Sequence, residues 1–389
     1  MIHFTRPVVH SPLVRMLVPA VLLLFGASAF AAPSTRGIGS LEKTGKELFL
    51  ANCAACHGPD GKGRSRSRVG FDVALPDFSD PDFSSREPAS DWAGIARNGG
   101  PSRGFSEIMP SFGEALSMEE IEAAVEYIKT LADDDDWPSG NFNLPRPLVT
   151  GKAYLEDEII FSGSLTEKDG GLGSIGGKIV YEQRFGTRNM WEVVLPFGWS
   201  ERFIDPLSSK PEWGANLGDA ALAVKRAFYF NLDRGSILSG AAELILPTGD
   251  RASGFGKGTF VFEPFLTFGQ ILPADFFLQA QAGMEIPFDT EKAEHEVFAR
   301  IAFGRSFNFK PWGRTWSPMV EVLAAKELAA GEKIIYDIVP QVQVTLNKRQ
   351  HIMLNIGVRL PLNEREGRHP VVLAYLLWDW FDGAFFDGW

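Results

Sequence analysis

The chain has 389 residues, enough for two or three domains or for one domain and a membrane barrel, and its formal charge is −11. That acidity gives a nucleic-acid partner no support. Ten Trp, thirty-one Phe and forty Gly suit a glycine-punctuated β protein with an aromatic surface better than an ordinary helical enzyme, and the two cysteines leave the later part of the chain without a disulfide framework.

Residues 1–31 have the pattern of a secretory signal peptide. Arg6 and Arg15 supply positive charge, Met16 to Phe25 an apolar stretch, and Ala29-Phe30-Ala31 a small-residue cleavage pattern. No later stretch reaches the ~18 apolar residues of a spanning helix. Export is therefore expected.

A helix is predicted over Lys43 to Ala51, with Leu48 and Ala51 on one face, leading into Cys53-Ala54-Ala55-Cys56-His57. Thiols at i and i+3 lie on adjacent edges of one helical turn, where each can add across a vinyl group of a porphyrin edge. The next residue then aims an imidazole at the iron, which is the spacing of covalent c-type haem attachment. A dithiol redox pair and half of a zinc site are the alternatives. Zinc would need further thiolates or imidazoles nearby, and the sequence offers none. Gly58-Pro59-Asp60-Gly61 breaks the helix.

Met109 precedes Pro110, which restrains it to an extended loop conformation suited to presenting a thioether. A second helix is predicted over Met118 to Leu131. Ser117 and Glu120 form its capping box, and Ile121, Val125, Ile128 and Leu131 its apolar stripe. His57 is the only histidine between Ala32 and Glu294, so a second axial ligand to a haem must be of another type. Met109 is favoured, and Met118, fixed in direction by its helix, is the competitor.

With these motifs in place, residues 40–132 resemble a class I cytochrome c: helix, Cys53-Ala54-Ala55-Cys56-His57, Gly-rich loop, Met109-Pro110-Ser111-Phe112, and a capped terminal helix. The resemblance covers about a quarter of the chain. It implies one covalent haem c, thioether links to Cys53 and Cys56, axial ligation by His57 and Met109, and one-electron transfer rather than catalysis. Phe71, Phe78, Phe83, Ile95, Ile108 and Phe112 are the expected apolar wall of the crevice.

Residues 133–153, with the acidic run Asp133 to Asp136 and a Pro- and Asn-containing stretch, have the composition of a solvated connector. From residue 154 to 389 the chain alternates with period two. Ile334, Tyr336, Ile338, Val342 and Val344 oppose Asp337, Gln341, Gln343 and Thr345 in one segment; Ile352, Leu354, Ile356 and Val358 oppose His351, Asn355 and Arg359 in another. Phe276, Leu278, Ala280 and Ala282 oppose Gln279, Gln281 and Glu285 in a third. Runs of ten to fourteen residues fit tilted transmembrane strands of ~9–11 residues better than sandwich strands of ~5–6. Aromatics near run ends (Phe228 to Phe230, Phe276, Phe277, Trp316, Trp378 and Trp380) suit interfacial girdles. About twelve segments, from Glu158–Thr166 to Pro370–Phe381, predict a closed antiparallel barrel of the outer-membrane type. The first three are weakly marked, which leaves ten strands as the alternative.

The segment from Gly240 onward is similar to outer-membrane barrels of the MetA type associated with phenol degradation, which implies a transporter fold and little about substrate. The terminal aromatics Phe385, Phe386 and Trp389 resemble an outer-membrane assembly signal, with Asp387 departing from its alternation. Lys225, Glu243, Glu263, Glu285, Arg300, Glu321, Asp337 and Arg359 either line a channel or pair across a small lumen and close it; a barrel of this size favours pairing.

The expected whole is an all-α cytochrome domain hung on the periplasmic side of an outer-membrane barrel, in contact with membrane lipid and exchanging electrons with redox proteins. A domain of this length has a radius of gyration of roughly 12 Å, too large for the lumen, so it belongs at the mouth. The alternatives are a transporter with a redox-sensing cytochrome, a haem-dependent periplasmic oxidoreductase, and a soluble periplasmic β protein. The acidic run is expected to be a hinge, with steering of a basic partner as its second reading.

Overall fold

The computed structural model describes residues 43–70, 75–168, 170–202, 211–308 and 314–380. The signal sequence, Phe71 and the terminal aromatics Phe385, Phe386 and Trp389 lie outside them. No helix among the described residues is long and apolar enough to cross a membrane.

The first part is helical: α1 Gly45–Asn52, α2 Ala54–His57, α3 Arg66–Val69, α4 Pro81–Ser84, α5 Ala89–Asn98 and α6 Met118–Lys129. Reciprocal capping boxes start the two helices whose signals were legible. In α1 the Glu47 amide donates to Thr44 Oγ1 at 3.3 Å; in α6 the Glu120 amide donates to Ser117 Oγ at 3.2 Å and Glu120 accepts from the Ser117 amide at 2.9 Å. The two helices cross where α1 has no side chain, since a Cβ at Gly45 would overlap the Ala123 carbonyl. That crossing decides which face of α1 is inside. Gly45, Leu48, Phe49 and Asn52 share it, so Phe49 accompanies Leu48 in the core and Ala51, expected there, is exposed. Phe49, Ala54, Phe78, Trp92, Ala93, Ile121, Val125 and Ile128 make the core.

The second part is a β-sheet of fourteen strands, all paired antiparallel. They are β1 Glu158–Lys168, β2 Leu172–Phe185, β3 Asn189–Arg202, β4 Glu212–Leu217, β5 Ala221–Asn231, β6 Ser236–Ile245, β7 Val261–Ile271, β8 Phe276–Pro287, β9 Glu296–Arg305, β10 Phe307–Asn308, β11 Thr315–Glu327, β12 Ile335–Thr345, β13 Ile352–Pro361 and β14 Val371–Asp379. β9 pairs directly with β11, and β14 pairs with β1, which closes the ring. β4 extends β3, and β10 lies beside β11. Twelve strands therefore form a closed barrel, the number expected, and its weakly marked β1, β2 and β3 are full members. Closure leaves none of the twelve at a free edge, the condition for strands to cross a bilayer.

Alternation sorts the side chains. In β5, Ala221, Ala223, Lys225 and Ala227 are buried while Leu222, Val224, Arg226 and Phe228 are exposed. The outward row continues as Leu165, Leu195, Leu266, Ile301 and Val322, each about half exposed, an apolar surface that lipid satisfies and water does not. The aromatic girdle is only partly as expected. Phe228 and Tyr229 face outward, but Phe277 and Trp380 are buried, and Phe230 packs inward against a cluster of Phe142, Ala153, Tyr154 and Ile237. A period of two places neighbouring aromatics on opposite faces, except that the register shift between Ala227 and Tyr229 lets Phe228 and Tyr229 both face outward.

The connector departs most from expectation. Instead of standing in solvent, residues 143–157 fold as a strap into the lumen and return to the same end, and the wall residues satisfy their backbone one by one. Gln279 Nε2 donates to the Pro145 carbonyl at 2.7 Å, and Tyr375 Oη and Asn355 Nδ2 donate to the Arg146 carbonyl at 2.6 and 3.1 Å. The Arg146, Leu148 and Gly151 amides donate to Gln343, Gln341 and Gln281 at 3.0, 2.9 and 2.9 Å. Glu321 accepts from the Val149 amide at 3.1 Å, the Thr150 amide at 2.6 Å and Thr150 Oγ1 at 2.5 Å. The Arg146 guanidinium sits between Glu158, which it contacts closely, and Glu182 at 2.8 Å. Charge pairing does close part of the interior, since Asp337 holds Arg359 and Arg368, each at 2.5 Å. Most of the filling is done by the strap.

The helical domain docks on one end of the barrel. Arg103 Nη1 donates to the Lys348 carbonyl at 3.0 Å, and Arg349 Nη2 to the Gly104 carbonyl at 3.3 Å, with its guanidinium 4.4 Å from the Phe105 ring centroid. Arg86 bridges Asp82 of its own domain at 2.6 Å to Asp157 of the strap at 2.9 Å. Asp136, expected in a free hinge, pairs with Arg188 in the turn between β2 and β3. Connections at this end are short between β2 and β3, β5 and β6, and β7 and β8. The opposite end carries longer ones between β6 and β7, β8 and β9, β11 and β12, and β13 and β14.

Arg146→Ala leaves Glu158 and Glu182, 1% and 0% exposed, without their shared cation. A loss of about 3–5 kcal/mol is expected. It is measured as a lower temperature at which the detergent-solubilised barrel loses its heat-modifiable mobility in gels; an unshifted temperature would mean that the strap does not brace the wall.

Candidate haem site

The Cys53 to His57 turn is built by α1 ending one residue before a second short helix begins. Cys53 is the C-cap of α1, and its carbonyl accepts from the Cys56 amide at 3.1 Å and the His57 amide at 2.9 Å. Both thiols are therefore free, half-buried and on one turn with the imidazole. Gly58, at φ 75°, turns the chain away immediately afterwards, a conformation that favours glycine. The chain then folds back so that the Gly63 amide donates to the His57 carbonyl at 2.8 Å and the Arg64 amide to the Cys56 carbonyl at 2.9 Å.

Burial governs the protonation of these groups. It pushes His57 down to about 4, which keeps the imidazole neutral with a lone pair free for a metal. Burial, helped by Cys56, pushes the Cys53 thiol up to about 11. His57 Nδ1 is buried without a hydrogen-bond partner, and the ring stacks on Phe78 at 4.8 Å between centroids. Among the described residues the one cluster able to hold a bare metal ion is Glu156, Glu158 and Asp379, so the two thiols have no additional ligands of the kind zinc needs. Two thiols beside a neutral, incompletely satisfied imidazole fit a haem held by two thioethers and one nitrogen.

Phe78 carries the imidazole's packing onward. Its ring lies 5.0 Å from Trp92 on α5 and 6.4 Å from Phe83, and Phe83 stacks on Trp92 at 5.8 Å. Trp92 was not singled out in the sequence, where a lone Trp in an Ala-containing helix gives no distinct signal. Lys129 completes the group: its ammonium lies 3.6 Å from the Trp92 ring centroid and donates to the Ser84 and Glu87 carbonyls at 2.5 and 2.8 Å. Phe78 and Phe83 thus belong to the packed side of the crevice. Ile95 and Phe112 are half-buried and Ile108 is 48% exposed.

Met109 lies on the loop leaving α5, and that loop is stitched to the helix. The Phe112 amide donates to the Ala96 carbonyl at 3.0 Å, the Gly113 amide and Ser111 Oγ to the Arg97 carbonyl at 2.9 and 2.6 Å, and the Gly100 amide to the Met109 carbonyl at 3.1 Å. Gly99, at φ 80°, lets the Met109 backbone approach, since a Cβ there would lie 2.9 Å from the Met109 carbonyl oxygen. The Met109 side chain is half-buried. Met118 is engaged elsewhere. Its sulfur accepts from Arg97 Nη1 at 3.6 Å, and it packs on the core and lines a cavity of about 500 Å³ between the helical domain and the barrel mouth.

Residues 40–128 match the family model described as cytochrome C oxidase, cbb3-type, subunit III. A c-type cytochrome domain occupies this part of the chain. The cytochrome match ends before the barrel, which is similar in fold to outer-membrane channels. An outer-membrane channel from Pseudomonas putida F1 is 12% identical, with a TM-score of 0.43 over 61% of this chain and all of the other. The NanC porin is 8% identical, with a TM-score of 0.38 over 57% and 99%. The KdgM porin is 9% identical, with a TM-score of 0.36 over 57% and 99%. No curated protein matches the chain.

Replacing Lys129 by Met strips two carbonyls and the Trp92 face of their cation together. The domain is expected to lose about 2–4 kcal/mol, measured from the denaturant midpoint of the Soret band in the full-length protein. A midpoint within error of the parent would mean water substitutes for the ammonium.

Proposed function

We propose that the protein is a one-electron carrier fixed to the outer membrane, with a single covalent haem c on the periplasmic side. The observation that carries this reading is the turn Cys53 to His57 in a helical domain docked on a closed, lipid-faced barrel. Cys53 and Cys56 would hold the macrocycle, and His57 and Met109 would ligate its iron; when bound, haem supplies a reversible one-electron couple. The chain's own contribution is positional. The Phe78–Trp92 packing sets the His57 ring and the loop pinned to α5 sets Met109, and a haem held by both residues would offer no open site for oxidation chemistry.

Two features support the periplasmic orientation. The domain docks at the end that carries the short β2–β3, β5–β6 and β7–β8 turns, and outer-membrane barrels place short turns on the periplasmic side. The chain also enters the barrel from that domain. The lumen strap supports a tether over an open pore, because a mediator crossing an apolar band ~25 Å tall would have to displace it.

Recovery in outer membranes with a reduced spectrum indifferent to carbon monoxide is expected; recovery in the soluble fraction would remove the tether. Met109→Ala should lower the reduction potential and admit carbon monoxide with haem still attached, whereas Met118→Ala should do neither. The opposite pattern would transfer the axial role to Met118. Cys53→Ala should weaken or abolish covalent attachment, and full haem retention after denaturation would contradict the thioether assignment. Planar bilayers with the intact protein should show no sustained conductance in either redox state; steady conductance would favour the redox-sensing transporter.

A further inference from the structure

We propose that Arg349, in the barrel turn between β12 and β13, is a positioning residue for Met109, so that the barrel itself holds one side of the haem site; this rests on the electron-carrier reading above. The two halves of the Met109 loop are held differently. The half after Met109 is bonded to α5 through Ser111, Phe112 and Gly113. The half before it, residues 100–108, is closed mainly on itself. The Phe105 amide donates to the Gly100 carbonyl at 2.9 Å, the Met109 amide to the Ser106 carbonyl at 3.3 Å, and the Ile108 amide to Ser106 Oγ at 3.3 Å.

This half has little grip on the helical core, since its large apolar side chains Phe105 and Ile108 are 39% and 48% exposed. Yet it is coupled to Met109. The Gly100 amide donates to the Met109 carbonyl at 3.1 Å, and a Cβ on Gly100 would stand 3.1 Å from the Met109 Cβ and 3.3 Å from the Phe105 Cβ. Phe105 and Met109 thus flank one glycine, and a shift of the first displaces the second.

The barrel supplies the missing grip. Arg349 Nη2 donates to the Gly104 carbonyl at 3.3 Å, and its guanidinium lies 4.4 Å from the Phe105 ring centroid. A flat cation against a ring, bonded to the carbonyl beside it, restrains tilt as well as position. Arg103 adds a second tie, donating to the Lys348 carbonyl at 3.0 Å and to Asp91 on α5 at 3.2 Å. The turn is a stiff support. Its Leu346 amide donates to the Ile352 carbonyl at 2.7 Å and the Ile352 amide to Asn347 Oδ1 at 3.0 Å, between two strands of a closed ring. Groups that orient a metal ligand from behind typically change its hold on the metal by about 10–100-fold.

The test uses the haem-loaded full chain in a neutral detergent. Arg349→Gln lies in the barrel and leaves the helical core intact while removing the charged fork. Carbon monoxide, which competes with a thioether for ferrous iron, should bind about tenfold or more tightly in this variant than in the parent. The weak red absorption of a ferric methionine-ligated haem should fade, with covalent haem content unchanged. Hydrogen exchange in residues 99–109 should quicken about tenfold or more, and that of α6 should not. Phe105→Ala should act in the same way, and the double variant should add nothing to either single one. Lys348→Ala, one residue away, should change none of these readings. Unaltered carbon monoxide affinity in Arg349→Gln would overturn the proposal even with faster loop exchange, because Arg349 would then only dock the domain. Fully additive effects of the two substitutions would overturn it too. A parent that binds carbon monoxide freely and lacks the red absorption would instead sink the Met109 assignment and the carrier reading beneath it.

Discussion

Compensation of charge inside a lipid-ringed barrel is the constraint from which the rest of this architecture follows. Glu158, Glu182 and Glu321 are almost wholly buried, and burying a carboxylate without a partner is costly. The strap answers all three. Arg146 lies between the first two, and the Val149 and Thr150 amides turn toward the third. In return the wall amides of Gln279 and Asn355 satisfy strap carbonyls that have no secondary structure of their own. Wall and strap are each incomplete alone.

That mutual satisfaction also places the cytochrome domain. The strap is continuous with it, and Arg86 ties Asp157 at the strap's end back to the helical side. Two further arginines, Arg103 and Arg349, exchange contacts with backbone carbonyls across the junction. The haem site is therefore held in a fixed relation to the barrel mouth rather than swinging on a linker. Within the domain, the imidazole of His57 is positioned by a stack that runs through Phe78 to Trp92, so its orientation depends on the same core that supports α5 and the Met109 loop.

Local features were legible in the sequence and distant ones were not. The attachment motif, the Ser117–Glu120 capping box and the alternation of β12 or β8 depend on residues within a turn or a strand of one another. Twelve barrel strands followed from that alternation even where β2 begins earlier than its apolar run suggests, because Gly-rich strand residues such as Gly173, Gly176 and Gly177 dilute the signal. The strap was misread because Pro145, Asn143 and Pro147 have the composition of a solvated linker, while the groups that bury it lie about two hundred residues away, as with Leu148 and Gln341 or Arg146 and Gln343. Ala51 was misplaced for a related reason: only the crossing at Gly45 decides which side of α1 is inside. Trp92 and Lys129 needed each other's positions to acquire meaning.

The seam of the barrel has one more consequence. The strand that follows the strap, β1, is also the strand that zips onto β14 to complete the ring. The strap enters beside Phe277 and leaves beside Arg184, both at the mouth where the helical domain docks, so that final ladder encloses a plug seated from one side, and no chain has to cross the ring.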